Sequence, residues 1–418
     1  MNILYVPSWF ISKKKPSNGI FFYEQAKALS KICTNLFVIY PEEIEAGKKI
    51  IKNENNIYFY GFPKIHYKKT YFFYFFLRYY VNKIIKKFGK IDLINAQSFL
   101  WAGVESSKIA RKYNIPLVIT EHHSRFLTGK ENRKTIDLIR KAIEYSSKVV
   151  FVSSTLKESF SRYIVNNDIN IASKFTVIPN SISDDFFNIL DDNKKQTLDK
   201  KLLYYFNQNN YFIFSSIGNL KESKGFEIII DAFYNAFYNP SYNNFNNNFH
   251  KDTIDSYMQS SHIQSYEKKE VKLFIGGDGP FKIKIEQQIK KLNLKDKVIL
   301  LGQLDRSSVE YLLENSNCFV LASRFETFGI VYIEALAKGV PVIATNCGGP
   351  KDIINDQCGI LTEVNDIEGI KNAMIMMYKN NNRYDKEKIR QYAFENFSSS
   401  AFINKYKNLY EELLYQQS

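Results

Sequence analysis

Two glutamates separated by seven residues lie in the most informative segment of the sequence. The segment reads LASRFETFGIVYIEALAKGVPVIATNCGG, in which Glu326 lies in a loop after an apolar strand and Glu334 lies in the following helix. Phe328, Gly329 and Ile330 occupy the start of that helix, where backbone N–H groups and the helix dipole favour an anion. The pattern predicts a diphosphate site, with Glu334 binding sugar hydroxyls and Glu326 beyond the phosphates. Taken singly, Glu326 could also be a solvent-facing residue and Glu334 an ordinary helix-surface residue.

Two glycine-containing loops precede this segment. GNLKESKG, residues 218–225, contains Lys224, whose ammonium would counter the charge that grows on a leaving diphosphate. GGDGP, residues 276–280, contains Gly277 and has too few residues between its glycines for a dinucleotide fingerprint. A hydride-transfer enzyme is therefore disfavoured, and an ordinary tight turn is the alternative to a ligand-binding role for GGDGP.

A histidine and a glycine follow predicted strands in the first half of the chain. His122 comes after the strand VIT in TEHHS and would point from a strand's carboxyl end into the crevice where open α/β sheets bind ligands. Its neighbour His123 would face the opposite way, and the alternative role for His122 is to cap the next loop. Ser17, Asn18 and Gly19 lie between the first strand and the first helix, where Gly19 would let a backbone N–H face a phosphate or would form a plain turn.

Strands that alternate with helix-length segments must position these residues. ILYVPS, LFVIY, DLINAQ, PLVITEH and VVFVSS form one such series, and YFIFSSIGN, VKLFIGGDG, KVILLGQ, CFVLAS and PVIATN form a second. The repeated βαβ pattern predicts an α/β protein with two parallel-sheet domains. The predicted parts are a first domain at 1–185, a linker at 186–210, a second domain at 211–398 and a terminal helix at 399–418 that packs back across the domains.

An Asn-rich stretch of low complexity, residues 235–268, interrupts the second series. It has no clear period and is predicted to be a surface insertion, so a metal or catalytic role for its His250 and His262 is disfavoured.

Six segments taken in order resemble a known family. GIFFYEQAKAL, TEHHS, VIPNSI, GNLKESKG, GGDGP and the paired-glutamate segment are similar to the motifs of family 4 (group 1) retaining glycosyltransferases, and the resemblance covers nearly the whole chain. It implies the GT-B architecture, two Rossmann-like domains facing each other across a cleft. It also implies transfer of a sugar from a UDP- or GDP-sugar to a lipid-linked or oligosaccharide acceptor, with retention of the anomeric configuration. The implied pathway is cell-surface polysaccharide synthesis, such as that of capsule or lipopolysaccharide.

The resemblance also assigns roles to residues. The family places a histidine beside the transferring sugar, and its threonine, any residue, histidine spacing selects His122. Asn219 stands where the family usually has an arginine, which puts its two-cation clamp in doubt unless a lysine such as Lys221 compensates. The implied catalytic residues are His122, Glu326 and Lys224, and the implied donor-binding residues are Gly19, Asn219, Lys224, Gly277, Phe328, Gly329, Ile330 and Glu334.

The sequence offers no evident metal site. It contains no Asp-x-Asp pair, so no carboxylate bridge to a divalent cation is evident, and we expect metal-independent chemistry with no cofactor besides the nucleotide-sugar co-substrate. The four cysteines are scattered without zinc or redox spacing and are expected to be reduced structural thiols.

The charge of the chain indicates an anionic partner. The 418 residues carry a formal net charge of +14, which suits nucleic acid, an acidic membrane or a phosphate-bearing substrate. No recognised nucleic-acid module occurs, so nucleic acid is not an expected partner. The alternative function is nevertheless a non-catalytic or nucleic-acid/anionic-surface-binding protein on the same fold.

Residues 64–90 combine lysines with a short aromatic centre. As one helix they would gather six lysines on an arc of roughly 100°, while an apolar centre of about twelve residues is shorter than the roughly 20 that span a bilayer. We expect an interfacial segment on anionic lipid, with a partly buried helix and solvated lysines as the alternative. The six lysines are Lys68, Lys69, Lys83, Lys86, Lys87 and Lys90.

The opening MNILYVPSW lacks the features of a secretory signal. The expected location is therefore cytoplasmic, at the inner face of the plasma membrane.

Overall fold

The computed structural model describes residues 1–11, 19–42, 50–63, 70–129, 131–165, 169–190, 200–206, 211–239 and 269–415. The chain divides into two compact units, Met1–Asp184 with Glu395–Ser418, and Asp185–Phe394. The domain boundaries expected from the sequence remain a prediction. The residues singled out above that lie outside the described ranges include Ser17 and Asn18, Lys68 and Lys69, and residues 240–268 of the predicted insertion, which contain His250 and His262.

An eight-stranded sheet forms the centre of the first unit. Its strands are β1 (Asn2–Pro7), β2 (Asn35–Glu42), β3 (Ile50–Glu54), β4 (Ile57–Pro63), β5 (Leu93–Gln97), β6 (Leu117–Glu121), β7 (Lys148–Phe151) and β8 (Phe175–Val177). They lie in the order β3-β4-β2-β1-β5-β6-β7-β8. All neighbours are parallel except β3 and β4, whose pairing is antiparallel. The sequence predicted β1, β2, β5, β6 and β7 but not β3, β4 or β8. The antiparallel pairing arises because a two-residue turn with Asn55 at a φ of 56° closes a hairpin.

Helices connect the parallel strands of this unit. They are α1 (Ile20–Ser30), α2 (Thr70–Phe88), α3 (Val104–Tyr113), α4 (Arg133–Glu144), α5 (Ser154–Ile164) and α6 (Ile169–Ala172). Side-chain caps define where two of them begin, since Asn132 accepts from the backbone N–H of Thr135 at α4 and Ser153 accepts from that of Leu156 at α5.

The second unit contains a six-stranded parallel sheet. Its strands are β9 (Tyr211–Ile217), β10 (Glu270–Gly276), β11 (Val298–Gly302), β12 (Cys318–Leu321), β13 (Val342–Thr345) and β14 (Gly359–Thr362), in the order β11-β10-β9-β12-β13-β14. The helices are α7 (Lys200–Phe206), α8 (Phe226–Phe237), α9 (Lys282–Lys291), α10 (Arg306–Glu314), α11 (Ile330–Ala337), α12 (Ile367–Lys379) and α13 (Lys386–Phe397). This strand order is that of the dinucleotide-binding Rossmann fold, 3-2-1-4-5-6.

A final helix, α14 (Ser399–Tyr415), belongs to the first unit. Its buried residues recur at helical spacing and pack into the same core as β1 and α1. They include Phe402, Tyr406, Leu409, Tyr410 and Leu413. Among the described residues, no helix has both the length and the apolar composition needed to cross a membrane.

Candidate functional site

The strand order of the second sheet reverses between β9 and β12, and parallel α/β sheets leave a crevice at such a point. The loop after β9, residues 218–225, is called the Lys224 loop, and the loop after β12, residues 322–329, is called the Glu326 loop. Their two named side chains form an ion pair, with Nζ of Lys224 2.5 Å from Oε2 of Glu326. The side chains are 25% and 14% exposed, so the pair is partly open to solvent.

A second cation that sequence reasoning missed joins the same loops. Arg324 donates its backbone N–H to the carbonyl of Ser223 at 2.8 Å, and its guanidinium contacts the carbonyl of Glu222. The guanidinium also bonds the carboxylate of Glu227 on α8 at 2.6 Å and the amide oxygen of Asn365 at 2.9 Å. Arg324 therefore fixes the spacing of the two loops. The signal in the sequence was its place in SRFET, two residues before Glu326.

The backbone of the Glu326 loop is held by the loop that follows β13. Gly349 donates to the carbonyl of Glu326 at 2.8 Å, and the N–H of Glu326 lies 3.4 Å from the carbonyl of Cys347. A Cβ on Gly349 would lie 2.3 Å from the Cα of Phe328, so only glycine permits this approach. The position of Glu326 thus depends on three loops of the second sheet.

Helix α11 begins at Ile330, two residues later than the start at Phe328 expected from the sequence. Gly329 precedes it with a φ of +100°, and a Cβ there would lie 2.3 Å from the ring of Tyr332. Glycine is therefore required for the turn into the helix. The first N–H groups of α11 have no partner within the helix, which makes its start a suitable place for an anion.

Glu334 on α11 is already paired with a cation. The side chain is buried and its carboxylate forms an ion pair with Arg306, which is half exposed. The guanidinium of Arg306 also lies 4.3 Å from the ring centroid of Phe186. The alternative of an ordinary helix-surface Glu334 is therefore wrong. A carboxylate accepts more hydrogen bonds than one guanidinium nitrogen supplies, so capacity for sugar hydroxyls remains.

The glycines of GGDGP serve a close backbone approach in the structure. Gly277 has a φ of +135°, and a Cβ there would lie 1.9 Å from the carbonyl oxygen of Gly218. Leu220 donates its N–H to the carbonyl of Asp278 at 2.9 Å, so this turn supports the Lys224 loop. Asn219 lies exposed in that loop. The donor-binding role of Gly277 stays a prediction.

The predicted histidine of the first unit follows β6, and its ring contacts uncharged side chains. His122 is 8% exposed, and its Nε2 lies 2.8 Å from Oε1 of Gln97 at the end of β5. Its ring contacts Phe21 and Phe22 of α1, with centroids 5.4 and 5.1 Å away, and Gly19 directly precedes that helix. Burial lowers the pKa of His122 to about 3, so the ring is neutral at physiological pH.

A buried carboxyl that sequence reasoning missed organises the turn after β6. The side chain of Glu121 accepts the backbone N–H groups of His122 and His123 at 2.8 and 2.6 Å, and that of Phe99 at 2.8 Å. Burial raises the pKa of Glu121 to about 7, although these three donors favour the carboxylate. Glu121 is adjacent to His122 in TEHHS, but its role depends on Phe99, which is distant in sequence.

The two adjacent histidines have different roles. The Nδ1 of His123 accepts the N–H of Arg125 at 3.2 Å and caps a short 3₁₀ helix, Ser124–Leu127. The ring of His123 also packs edge-on against Trp9, with centroids 6.0 Å apart. The loop-capping role considered for His122 therefore belongs to His123.

The described residues contain no group of three or more His, Cys, Asp or Glu side chains that could hold a metal ion.

Comparison with known families decides the class of the protein. Two family models match, Glycosyltransferase Family 4 over residues 19–186 and Glycosyl transferases group 1 over residues 249–396. The chain carries the two domains of a family 4, group 1 glycosyltransferase. The first match contains His122, and the second contains Glu326 and Glu334.

Relatives of this glycosyltransferase include enzymes with different named products. It is 36% identical over 148 residues to N-acetyl-alpha-D-glucosaminyl L-malate synthase of Bacillus anthracis, an alignment that covers 35% of this chain and 38% of the relative. It is 25% identical over 296 residues to the UDP-Gal:alpha-D-GlcNAc-diphosphoundecaprenol alpha-1,3-galactosyltransferase of Escherichia coli, covering 70% of this chain and 67% of the relative.

Solved structures establish the fold of the glycosyltransferase as GT-B. Sucrose-phosphate synthase from Thermosynechococcus elongatus superposes with a TM-score of 0.73 at 18% identity, covering 100% of both chains. The Anabaena protein HepE, solved in complex with UDP, superposes with a TM-score of 0.69 at 18% identity, covering 99% of this chain and 100% of HepE.

Proposed function

We propose that this glycosyltransferase moves a sugar from a UDP- or GDP-sugar to a lipid-linked or oligosaccharide acceptor, with retention at the anomeric carbon and without a metal ion. The observation that carries the proposal is the Lys224–Glu326 pair at the point where the strand order of the second sheet reverses. An ammonium in such a crevice suits a leaving diphosphate, because its charge stabilises the charge that develops there.

Each side chain has a defined part in the proposed reaction. Lys224 has three N–H donors and uses one on Glu326, so two remain for phosphate oxygens. The first N–H groups of α11 bind the same diphosphate, and Glu334 binds hydroxyls of the donor. The acceptor hydroxyl attacks from the side that the diphosphate leaves and gives its proton to a phosphate oxygen. No protein nucleophile takes part.

The named relatives support the choice of substrates. The Escherichia coli relative uses a UDP-sugar and a diphosphoundecaprenol-linked acceptor by name, and HepE was solved with UDP. An acceptor on a lipid carrier requires an enzyme that works at a membrane surface. We therefore place the glycosyltransferase in cell-surface polysaccharide synthesis at the cytoplasmic face of the plasma membrane.

The outer face of α2 supports attachment to an anionic membrane. Phe72 and Phe75 are 36% and 54% exposed, and Lys83, Lys86 and Lys87 are exposed on the same side of the helix. Aromatic rings at headgroup depth with lysines above them match an interfacial helix on acidic lipid. The side of α2 that faces the sheet is buried, so part of the alternative, a helix packed on the first sheet, also holds.

A donor panel tests the proposed reaction. We would measure binding and hydrolysis of UDP-, GDP- and ADP-sugars in EDTA by the wild type, Glu326→Ala and Lys224→Ala. We expect selective turnover of one donor that both variants lose and EDTA leaves intact. Absence of binding for every donor would overturn the donor assignment, and activity that requires added Mg²⁺ would overturn metal independence.

Vesicle cosedimentation tests membrane attachment. The triple change Lys83→Glu, Lys86→Glu and Lys87→Glu should weaken binding to phosphatidylcholine vesicles that contain phosphatidylglycerol by about 100-fold, at about 1 kcal/mol per basic residue. The matched control carries the same charge change on α4, as Arg133→Glu, Lys134→Glu and Lys141→Glu. Equal losses in both triples would show that net charge, and not α2, attracts the vesicles.

A further inference from the structure

Buried hydrogen bonds connect His122 to the helix α14, which sequence reasoning did not link to the site. The Nε2 amide group of Gln97 donates to Oδ1 of Asn95 at 2.7 Å, and Nδ2 of Asn95 donates to Oη of Tyr410 at 2.5 Å. Gln97, Asn95 and Tyr410 are at most 1% exposed. We call these three residues and His122 the His122–Tyr410 chain.

The direction of these bonds determines which ring nitrogen of His122 carries the proton. Gln97 turns its amide nitrogen to Asn95, so its oxygen faces Nε2 of His122 at 2.8 Å. An amide oxygen only accepts, and Nε2 must therefore be the protonated nitrogen. Nδ1 is then an acceptor, and among the described residues this buried atom has no hydrogen-bond partner.

We propose that Tyr410, acting through Asn95 and Gln97, holds His122 in the Nε2–H tautomer and thereby presents Nδ1 as a hydrogen-bond acceptor for a substrate hydroxyl. The catalytic consequence rests on the proposed function, while the tautomer itself does not. Tyr410, Asn95 and Gln97 are positioning residues, because they act on the substrate only through His122.

Loss of a hydrogen bond in the His122–Tyr410 chain leaves a buried polar group unpaired, and this favours the Nδ1–H tautomer of His122. Without the Tyr410 hydroxyl, Nδ2 of Asn95 is a buried donor with no acceptor. Reversal of both amides would exchange this unpaired N–H for an unpaired carbonyl oxygen, which is better tolerated in a protein interior. Gln97 would then turn its nitrogen to His122, Nε2 would lose its proton, and Nδ1 would become a donor. A donor at Nδ1 could no longer accept from a substrate hydroxyl.

The neighbouring Tyr406 provides a matched control. It lies one turn before Tyr410 on α14, is equally buried, and its hydroxyl lies 2.9 Å from Oγ1 of Thr120. Thr120 reaches Asn95 only at 3.5 Å, the limit of a hydrogen bond. Tyr406→Phe therefore removes the same atom from the same core but leaves the His122–Tyr410 chain intact.

The test compares Tyr410→Phe with Tyr406→Phe by kinetics and by ¹⁵N NMR of histidine-labelled protein, with His122→Asn used to assign the resonances. We expect Tyr410→Phe to lower kcat by about tenfold with little change in donor KM, the size of one hydrogen bond, and to mix the tautomers of His122. Tyr406→Phe should keep the Nε2–H tautomer and a kcat within about twofold of wild type.

Unchanged tautomer signals in Tyr410→Phe would overturn the proposal. If that variant does not fold, Gln97→Met removes the acceptor for Nε2, and a single Nε2–H tautomer that persists in it would be equally decisive. The NMR result stands even if no donor is turned over. Failure of the proposed function then appears as an inactive wild type with an intact tautomer, and failure of this inference as an active wild type with mixed tautomers.

Discussion

His122 and Lys224 lie at the carboxyl edges of two similar sheets, but their surroundings are opposite in electrostatic character. The histidine is buried, neutral and bonded to an uncharged amide. The lysine is partly exposed and bonded to a carboxylate, with Arg324 and its anionic partner Glu227 close by. Under the proposed function, the neutral surroundings of the His122 ring would suit a substrate hydroxyl held in a fixed orientation. The charged surroundings of Lys224 would suit the charge of a leaving diphosphate.

Removal of the Lys224 charge from the second unit should have the largest effect on catalysis. Lys224→Ala should lower kcat/KM by about 1,000-fold, because one preorganised donor to a developing oxyanion contributes up to about 4 kcal/mol. Lys290→Ala, an exposed lysine on α9, serves as the control and should leave kcat/KM unchanged. Steady-state kinetics with the donor found in the panel provides the measurement. A loss under tenfold in Lys224→Ala would show that the Lys224 ammonium is not the main stabiliser of the leaving group.

Protonation should have opposite effects on the stability of the first unit at Glu121 and at His122. Burial raises the pKa of Glu121 from its ordinary 4.5 to about 7, so between these values the folded chain keeps a proton that the unfolded chain has released. This contribution to the free energy of unfolding falls as pH rises, by about 3 kcal/mol in all. The pKa of His122 falls from 6.5 to about 3, so its contribution rises with pH over that window. The two effects oppose each other between pH 4.5 and 6.5.

Single variants should separate these two effects. Relative to wild type, the free energy of unfolding of Glu121→Gln should increase with pH between 4.5 and 7, whereas that of His122→Asn should decrease between 3 and 6.5. Both tryptophans, Trp9 and Trp101, lie in the first unit, so tryptophan fluorescence in urea titrations reports on that unit. Curves parallel to wild type at every pH would show that neither group titrates as its burial predicts.

Loss of the Arg324 side chain, which connects the Lys224 loop and the Glu326 loop, should have a smaller effect. Arg324→Ala should lower kcat by about tenfold, because the loops lose several bonds that space Lys224 from Glu326. Arg324→Lys keeps the pairing with Glu227 but cannot make the forked contacts, so it should recover only part of the loss. Full recovery of kcat in Arg324→Lys would mean that the positive charge alone, and not the several hydrogen bonds of the guanidinium, sets the spacing of the loops.

An added positive charge in the Lys224 loop should have the smallest effect. Asn219→Arg restores the cation that family members usually carry in the Lys224 loop, and it should lower the donor KM by about threefold while kcat changes little. Lys221→Ala in the same background and in wild type shows whether Lys221 compensates for the missing arginine. A higher donor KM in Asn219→Arg would indicate that the donor of this enzyme does not tolerate a second cation there.

The sequence predicted those parts of the site that depend on local order. Strand ends and the glycines after them placed Lys224, Glu326 and His122, because apolar runs and turn residues specify where a parallel strand stops. Their partners were not predictable. Arg306 lies 28 residues from Glu334, and Asn95 lies 315 residues from Tyr410. No periodicity within a single sequence reports a contact across such distances.

The return of α14 to the first unit has a consequence for how the protein is made. A ribosome synthesises β1 to β8 first and the whole of the second unit next, and only then the helix that supplies Tyr406 and Tyr410 to the first core. Domains generally fold in the order of their synthesis, but here the core of the first unit is incomplete until α14 has been synthesised. A chain that stalls before residue 399 would therefore leave exposed the apolar surface that α14 covers.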